Sequence, residues 1–328
     1  MRQPISSIKI TATHESWPLK EAFTISRGAK TTAEVIHVGA SDGEYTGQGE
    51  AVPYPRYGES IDGALAALRT LSGLSTREEL MTLLPAGAAR NALDCALFDL
   101  EAKRAQTSAA ALAGATNMGP VLTAYTLSLD TPAAMAAKAQ SVPHLPLLKL
   151  KLGGEKDVER MAAVRHARPD ARIIVDANEA WPVELAEPLF GAAKDAGVEL
   201  IEQPFAADAD EALRNVQRLV PLCADESVHT RANLPRLCGL YDAINIKLDK
   251  AGGLTEAIAL KRDAQAAGFR IMVGSMVATS LAVAPAMVLA QGAQWVDLDG
   301  PLLLARDREP AIAIENGIMS VPDPALWG

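Results

Sequence analysis

Short apolar runs alternate with amphipathic stretches over the last two thirds of the chain. The runs are rich in Leu, Ile and Val, as in PLLKLKL, RIIVD and AINIK, and the stretches between them, such as DVERMAAVRHA and TEAIALKRDAQAA, have the period of a helix. We predict strands over 121–129, 146–152, 172–177, 198–203, 221–225, 243–249, 270–275 and 295–298. Eight parallel strands with helices between them form a closed (β/α) barrel, so the predicted fold class is α/β.

The first third of the chain has a different order of elements. SSIKITATHES and AEVIHVGAS have the pattern of strands, and helical patterns follow over 61–71 and 88–105. Strands followed by helices are typical of an α+β module. We therefore divide the chain into an α+β domain at 1–118, a barrel at 119–300 and a proline-containing segment at 301–328 that returns to the first domain.

Composition narrows the classes of partner. The net charge of −9 argues against nucleic acid, because an acidic chain repels phosphates. The N-terminal residues lack the apolar core of a signal peptide. The sequence also contains no charge-free apolar stretch of about 18 residues, so we expect no membrane span. Cys95, Cys223 and Cys238 have no CxxC spacing, as expected of thiols in a reducing compartment. We expect a cytoplasmic protein, and the sequence leaves open whether it forms a homo-oligomer.

Three carboxylates end consecutive predicted strands of the barrel: Asp176 in RIIVDAN, Glu202 in VELIEQP and Asp225 in PLCADES. In a parallel barrel the carboxyl ends of all strands face one mouth, so these side chains converge. Oxygen-only ligation by three carboxylates that leave positions open suits Mg²⁺. A single acid at a strand end is more often a helix cap or the partner of a surface lysine, but three in succession predict a metal site.

Lysines flank this site on opposite sides. Lys149 and Lys151 alternate with leucines in LKLKL and share one strand face, and Lys247 ends the sixth strand, across the barrel from the second. Buried lysines are costly unless they are paired or functional. A metal-bound carboxylate acidifies its α-proton, which one lysine can remove while the opposite lysine returns a proton to the other face. The pattern predicts inversion at that carbon, or loss of a β-leaving group.

The motifs KLKLG, DANEAW, EQPF, ADES and IKLDKAGG together resemble the enolase superfamily, in its muconate-lactonizing branch, over essentially the whole chain. The resemblance implies a modified (β/α)7β TIM barrel with an N-terminal α+β capping domain, and one Mg²⁺ per subunit on Asp176, Glu202 and Asp225. YPRYGES and PAGAARNALDCALFDL are similar to the bacterial dipeptide epimerases that act on L-Ala-D/L-Glu. That activity would fit the recycling of murein peptides.

The resemblance also assigns the lysines. Lys151 and Lys247 match the acid/base pair, and Lys149 matches the first lysine of the KxK motif, which stabilises the enolate oxygen. The chain has GSMVATS where many relatives have GSMxES, which argues against relatives that depend on that acid. Asp249 is uncommon in the branch, and on a strand it would share the face of Lys247 and could tune that amine.

Charge complementarity predicts how an Ala-Glu dipeptide would be held. Its α-carboxylate would go to the metal, and its ammonium to Asp297 and Asp299, which share a strand face in DLD and match the DxD of dipeptide epimerases. Its side-chain carboxylate needs a cation, for which we expect Arg27 in FTISRGAK. We expect further polar side chains in the same cavity, namely Tyr54, Tyr57, Ser275 and Lys149. The simpler explanations are a turn at DLDGP and a solvated Arg27.

Other functions stay open on the sequence alone. An o-succinylbenzoate synthase, an N-acylamino acid racemase or a muconate cycloisomerase would use the same acids and lysines on a substrate without an ammonium, so the DxD favours a dipeptide. A barrel kept only for binding would be expected to have lost a metal ligand or a lysine, and none is missing. The hypothesis is a Mg²⁺-dependent epimerase that inverts the α-carbon of the C-terminal Glu of L-Ala-D/L-Glu by 1,1-proton transfer.

Overall fold

The computed structural model describes residues 8–71, 74–115 and 117–328. Its strands are β1 (Lys9–Ile25), β2 (Gly28–Ser41), β3 (Thr46–Ala51), β4 (Val121–Leu122), β5 (Tyr125–Leu127), β6 (Leu147–Lys151), β7 (Arg172–Asp176), β8 (Val198–Glu202), β9 (Leu222–Ala224), β10 (Ala243–Lys247), β11 (Arg270–Gly274), β12 (Trp295–Asp297), β13 (Ile314–Glu315) and β14 (Ile318–Met319). Its α-helices are α1 (Ile61–Arg69), α2 (Arg77–Leu83), α3 (Ala88–Ala105), α4 (Ala109–Leu112), α5 (Pro132–Ser141), α6 (Asp157–Ala167), α7 (Ala186–Asp195), α8 (Leu234–Leu237), α9 (Leu248–Ala251), α10 (Leu254–Ala266), α11 (Ser280–Ala290) and α12 (Gly300–Leu303). None of these helices in the described residues is long and apolar enough to cross a bilayer.

The capping domain is an antiparallel sheet of β1, β2 and β3 covered by α3. Gly47 and Gly49 of β3 permit close packing, because a Cβ atom at either position would lie 2.1 Å from a carbonyl oxygen of α3. Helix α3 is buried on two sides: Leu93 belongs to the core under the sheet, while Cys95 and Phe98 belong to the core around the barrel. The helix therefore joins the two parts of the molecule.

Strands β5 to β12 form a parallel sheet in sequence order, and its two edges meet where the Ala124 amide donates to the Val296 carbonyl over 2.8 Å. This confirms the predicted modified barrel with a capping domain. Neighbouring strands pair Lys151 with Asp176 and Asp176 with Glu202, so the side chains at the strand ends lie in one row.

The interior of the barrel is apolar at one end and charged at the other. A layer of apolar residues fills the amino-terminal end, namely Ala124, Leu147, Ile174, Leu200, Cys223, Ala243, Met272 and Trp295. Because strand residues alternate between faces, the residues two or four positions further along point to the same interior. These positions hold the lysines and acids of the predicted site, which therefore lie on the carboxyl-terminal side of the apolar layer.

The predicted strand at 121–129 is wrong as a single strand. Val121 and Leu122 pair antiparallel with β14, and only Tyr125–Leu127 joins the barrel. The C-terminal hairpin of β13 and β14 pairs with residues 121–122 before the chain enters the barrel sheet at Tyr125. The segment after 300 also contacts the capping domain, since Trp327 Nε1 donates to the Cys95 carbonyl over 3.0 Å. The domain limits themselves remain a prediction.

Candidate active site

Three buried carboxylates meet at the mouth of the barrel. Asp176 and Glu202 are the last residues of β7 and β8, Asp225 directly follows β9, and their oxygens lie within 4.8 Å of one another. The structure thus brings together the three predicted metal ligands. All the donor atoms are carboxylate oxygens, which suits a hard divalent cation such as Mg²⁺.

The predicted lysines surround this triad. Lys149 Nζ lies 2.6 Å from Glu202 Oε2 and 2.6 Å from Asp297 Oδ2, so it is fully enclosed by acids. Lys151 Nζ lies 2.5 Å from Asp176 Oδ2, on the β6–β7 side. Lys247 Nζ lies 2.7 Å from Asp225 Oδ2, on the β9–β10 side. The structure therefore places these two amines at opposite sides of the triad.

The pKa values of the triad and its lysines show that these buried charges interact strongly. Burial lowers the pKa of Lys247, but Asp225 and Glu202 outweigh burial and hold it well above its ordinary value. Burial and the neighbouring Asp176 raise the pKa of Glu202, although Lys149 opposes them. By contrast, Lys151 and Lys149 hold the pKa of Asp176 below its ordinary value despite burial. Glu202 is therefore the acid of the triad whose charge the lysines compensate least, and a divalent cation would stabilise its ionised form.

A fourth lysine, which the sequence analysis missed, supports Asp225. Lys250 is fully buried, and its Nζ lies 2.5 Å from Asp225 Oδ1 and also donates to the backbone carbonyls of Asp225 and Asn245. It belongs to α9, which begins directly after Lys247. Its only signal in the sequence is the second lysine of KLDK.

The prediction that Asp249 shares the face of Lys247 is wrong. The strand ends at Lys247, and Asp249 lies in helix α9, where its Oδ1 accepts from the Val52 amide at 3.0 Å and from Asn91 Nδ2 at 2.9 Å. Its contacts are with the capping domain. Because the chain turns into α9 directly after β10, the Asp249 side chain does not point in the direction that it would have had on a continued strand.

Asp297 and Asp299 lie at the side of the same cavity, close to Thr126. Asp297 accepts from Lys149 and, at 3.3 Å, from the Thr126 hydroxyl, and Asp299 Oδ2 accepts from the Thr126 amide at 2.6 Å. Burial and the charge of Asp297 raise the pKa of Asp299 to about 7. A positively charged ligand group beside Asp299 would favour the ionised form of that carboxyl.

The opposite wall of the cavity comes from the capping domain. The turn between β1 and β2 brings Arg27 to the barrel, where Nη2 lies 2.8 Å from Glu226 Oε1 and Nη1 donates to the Asn178 carbonyl at 3.0 Å. Tyr54 lies beside it, with its hydroxyl 3.5 Å from Arg27 Nη2. Tyr57 and Ser275 also line the cavity.

Lys30 is a second cation of this wall, and the sequence analysis missed it. It pairs with Phe23 across the hairpin, lines the cavity and has its Nζ 5.1 Å from the centre of the Tyr54 ring. Within the described residues, the Lys30 side chain has this ring contact but no hydrogen bond or ion pair. Burial lowers its pKa, and the nearby Lys151 and Arg27 lower it further. Its position three residues after Arg27 was the available signal.

The family of the chain follows from comparison with known proteins. The model of the mandelate racemase / muconate lactonizing enzyme N-terminal domain matches residues 7–114, and the enolase C-terminal domain-like model matches residues 133–325. The chain belongs to the enolase superfamily. The superfamily predicted from KLKLG, DANEAW and the other motifs is thereby confirmed.

Individual members of the superfamily resemble the chain over nearly its whole length. It is 48% identical to the L-Ala-D/L-Glu epimerase of Escherichia coli (strain K12) over 310 residues, 92% of this chain and 96% of that protein. It is 46% identical to an N-acetyl-D-glutamate racemase of Pseudoalteromonas sp over 300 residues, 90% of this chain and 95% of that protein. A crystal structure of an enolase family member from Agrobacterium tumefaciens, with bound sodium and L-Ala-L-Glu, matches with a TM-score of 0.96 and 48% identity, covering 98% of this chain and 100% of that one.

Proposed function

We propose that the protein is a Mg²⁺-dependent epimerase of L-Ala-D/L-Glu and similar dipeptides, with one Mg²⁺ held by Asp176, Glu202 and Asp225. The observation that carries the proposal is the placement of Lys151 and Lys247 on opposite sides of the acid triad, each within 2.7 Å of a different acid. The similarity to the Escherichia coli epimerase supports the same reaction. Solved dipeptide epimerases of this fold hold Mg²⁺ together with a dipeptide.

The residues divide the reaction into two proton transfers. Mg²⁺ bound to the triad would stabilise the negative charge that develops on the substrate carboxylate when the α-proton leaves. Lys151 or Lys247, whichever faces the α-hydrogen, takes that proton, and the other lysine gives a proton to the opposite face of the carbon. Lys149 contributes a fixed positive charge beside Glu202. Because each lysine serves one face, the stereocentre inverts.

The charges around the cavity favour a substrate with two carboxylates and an ammonium. Asp297 and Asp299 are the acids of the barrel side, and an ammonium would compensate them. On the opposite side we propose that Lys30 binds the side-chain carboxylate, since Lys30 lacks an acidic partner within the described residues while Arg27 already has Glu226. The earlier prediction that Arg27 binds that carboxylate remains the alternative.

A second candidate function is racemisation of an N-acylated amino acid. The similarity to the N-acetyl-D-glutamate racemase favours it, and so does the contact between Asp297 and Lys149, because an acid that already holds a lysine needs no substrate ammonium. The alkene-forming and lactone-forming reactions of the superfamily lack such a supporting observation here.

One experiment separates the two candidates. The protein is incubated with Mg²⁺ in D₂O with either L-Ala-L-Glu or N-acetyl-L-glutamate, and both deuterium uptake and the configuration of Glu are followed by mass spectrometry and chiral chromatography. We expect one deuterium in the Glu residue of the dipeptide, with accumulation of L-Ala-D-Glu. Exchange confined to N-acetyl-L-glutamate would establish the second candidate, and exchange in neither would refute both.

The cellular role is a further part of the proposal. An epimerase of L-Ala-D-Glu would serve the recycling of cell-wall peptides in the cytoplasm. The thiols of Cys95, Cys223 and Cys238 are all free, as a reducing compartment would keep them.

A further inference from the structure

One short helix places two lysines on the same carboxylate of the acid triad. Lys247 is the N-cap residue of α9, and its Nζ lies 2.7 Å from Asp225 Oδ2. Lys250 lies within α9, and its Nζ lies 2.5 Å from Asp225 Oδ1. Both oxygens of Asp225 are thus held by amines whose positions depend on α9.

Helix α9 has little support of its own. It has four residues, and a helix of a single turn is unstable in isolation. Gly252 and Gly253 follow it with φ angles of 75° and 112°, in the region that glycine enters without steric cost. The segment after Lys247 therefore needs contacts from elsewhere in the molecule to keep one position.

The capping domain supplies such contacts through Arg90 of α3. Arg90 Nη2 donates to the Ala251 carbonyl at 2.7 Å, and Nε donates to the Gly252 carbonyl at 2.9 Å. The third nitrogen, Nη1, donates to the Leu84 carbonyl at 3.3 Å, and Arg90 is 7% exposed. Carbonyls at the end of a helix lack partners within the helix, so this buried guanidinium fixes the end of α9 to the capping domain.

The glycine pair makes the close approach of α3 possible. A Cβ atom at Gly252 would lie 2.6 Å from Arg90 Nε, and one at Gly253 would lie 2.4 Å from Asp94 Oδ2. Asp94 lies one turn after Arg90 on α3, and its Oδ2 accepts from the Thr255 amide at 2.8 Å. Arg90 therefore holds the α9 side of the glycine pair, and Asp94 holds the α10 side.

We propose that Arg90 is a positioning residue of the metal site, because by fixing the end of α9 it fixes the two lysines that hold Asp225. The capping domain thereby acts on the metal site through helix α3. The inference rests on the proposed function, since it concerns the Mg²⁺ that Asp225 shares there with the other two acids. The alternative is that Arg90 only joins the two domains, so that its loss lowers stability and leaves the metal site unchanged.

Titration calorimetry with Mg²⁺ separates these two roles without substrate. We expect Arg90→Met to weaken Mg²⁺ binding about tenfold at a temperature where the variant is folded, because a metal ligand loses its support. Arg104→Met is the matched control, since Arg104 is an exposed arginine of the same helix that pairs with Asp42, and it should bind Mg²⁺ like wild type. Wild-type affinity in Arg90→Met would overturn the proposal.

A second control weakens the same joint on the far side of the glycine pair. Thr255→Val removes the hydroxyl that donates to Asp94 Oδ1 at 2.6 Å. We expect a lower melting temperature with unchanged Mg²⁺ affinity, because α9 keeps its contacts with Arg90. A loss of Mg²⁺ affinity as large as that of Arg90→Met would show that any damage to the joint has this effect, and would overturn the specific role of Arg90.

The double variant Arg90→Met/Lys250→Met tests whether Arg90 acts through α9. In the background of Lys250→Met, Arg90→Met should weaken Mg²⁺ binding by about twofold rather than tenfold, because the contact between Lys250 and Asp225 is already absent. Fully additive losses would place the effect of Arg90 outside α9 and would overturn the proposal.

Arg90→Lys provides the decisive variant if Arg90→Met does not fold. It puts one nitrogen where arginine has three, so we expect Mg²⁺ binding about threefold weaker than in wild type, and wild-type affinity would overturn the proposal. Hydrogen exchange without Mg²⁺ or substrate is the second measurement, in which loss of Arg90 should speed exchange of the amides in 248–253 about tenfold. Unchanged exchange would contradict a holding role. This measurement remains valid if wild type fails to bind Mg²⁺, a result that would refute the proposed function.

Discussion

The barrel mouth, where the acid triad lies, and the hairpin tip, residues 23–30 of the β1–β2 hairpin, hold their charged side chains in different ways. At the mouth, Asp176 and Lys151 stand on neighbouring strands of a closed barrel, are buried and contact each other directly. At the tip, Arg27 and Lys30 project from a two-stranded ribbon with interrupted pairing. The reacting groups thus lie on the rigid frame, and the groups proposed to select the substrate lie on a part that can change without disturbing that frame.

The largest effect should come from the two lysines of the mouth. Lys151→Ala and Lys247→Ala should each lower kcat for epimerisation at least about 1,000-fold, because each removes one of two proton-transfer groups. In D₂O we expect each variant to exchange the α-proton of one stereoisomer only. Chiral analysis and mass spectrometry of L-Ala-L-Glu and L-Ala-D-Glu check this.

A surface lysine provides the control for these variants. Lys194→Ala changes an exposed residue of α7 and should leave the rate unchanged. Full turnover by either Lys151→Ala or Lys247→Ala would contradict the two-base reaction. The lysines of the barrel mouth could then not be distinguished from the residues of the tip as the reacting groups.

The same contrast explains what the sequence could and could not predict. Asp176, Glu202 and Asp225 were found because strand residues alternate and parallel strands share one carboxyl end, so position along the chain gives position in space. Lys250 and Asp249 were missed or misplaced because the chain turns into α9 directly after Lys247. That turn depends on packing of α9 against α3 and the capping domain, which no local pattern records.

The hairpin tip was only partly predictable for a related reason. The sequence FTISRGAK offers two cations, and the prediction selected Arg27. Which of the two cations lacks an acidic partner depends on the irregular pairing of β1 at residues 19–22 and on the position of Glu226. Glu226 lies 199 positions after Arg27 in the chain. Such long-range pairing follows from the tertiary structure and leaves no periodic signal.

The next effect concerns metal affinity at the mouth. Lys250→Met should weaken Mg²⁺ binding about 10- to 100-fold, because Lys250 orients the Asp225 carboxylate and such supporting contacts tune a metal ligand. Titration calorimetry with Mg²⁺ measures this without substrate. Lys250→Arg, which keeps the charge, should recover part of the affinity. Unchanged Mg²⁺ affinity in Lys250→Met would mean that the strand frame alone positions Asp225.

A smaller effect, about tenfold, should distinguish the two candidate substrates. Asp299→Asn should lower kcat/KM for L-Ala-L-Glu while leaving N-acetyl-L-glutamate nearly unaffected, since only the dipeptide has an ammonium to lose a partner. Asp299 suits this test better than Asp297, whose carboxylate also holds Lys149. Asp297→Asn should also lower kcat/KM more for L-Ala-L-Glu than for N-acetyl-L-glutamate, and both losses should be larger than in Asp299→Asn. Equal losses for the two substrates in Asp299→Asn would remove the ammonium assignment.

The smallest effect on activity should come from Asp249, which connects the barrel to the capping domain by accepting from the amide of Val52. Burial raises its pKa to about 7, despite hydrogen bonds from Val52 and Asn91, and the charges of Glu59 and Glu50 add to the rise. A carboxyl whose folded pKa exceeds the unfolded value of about 3.9 stabilises the fold below pH 4, and this contribution is lost as the pH rises towards 7.

Asp249→Asn keeps an acceptor oxygen and cannot ionise, so its stability relative to wild type should increase with pH. Between pH 5 and pH 8 we expect the difference in free energy of unfolding to grow by roughly 2 kcal/mol in favour of the variant, with epimerisation unchanged. Urea unfolding at the two pH values measures it. A difference that stays constant with pH would show that Asp249 is ionised throughout, and that the joint between cap and barrel tolerates a buried charge.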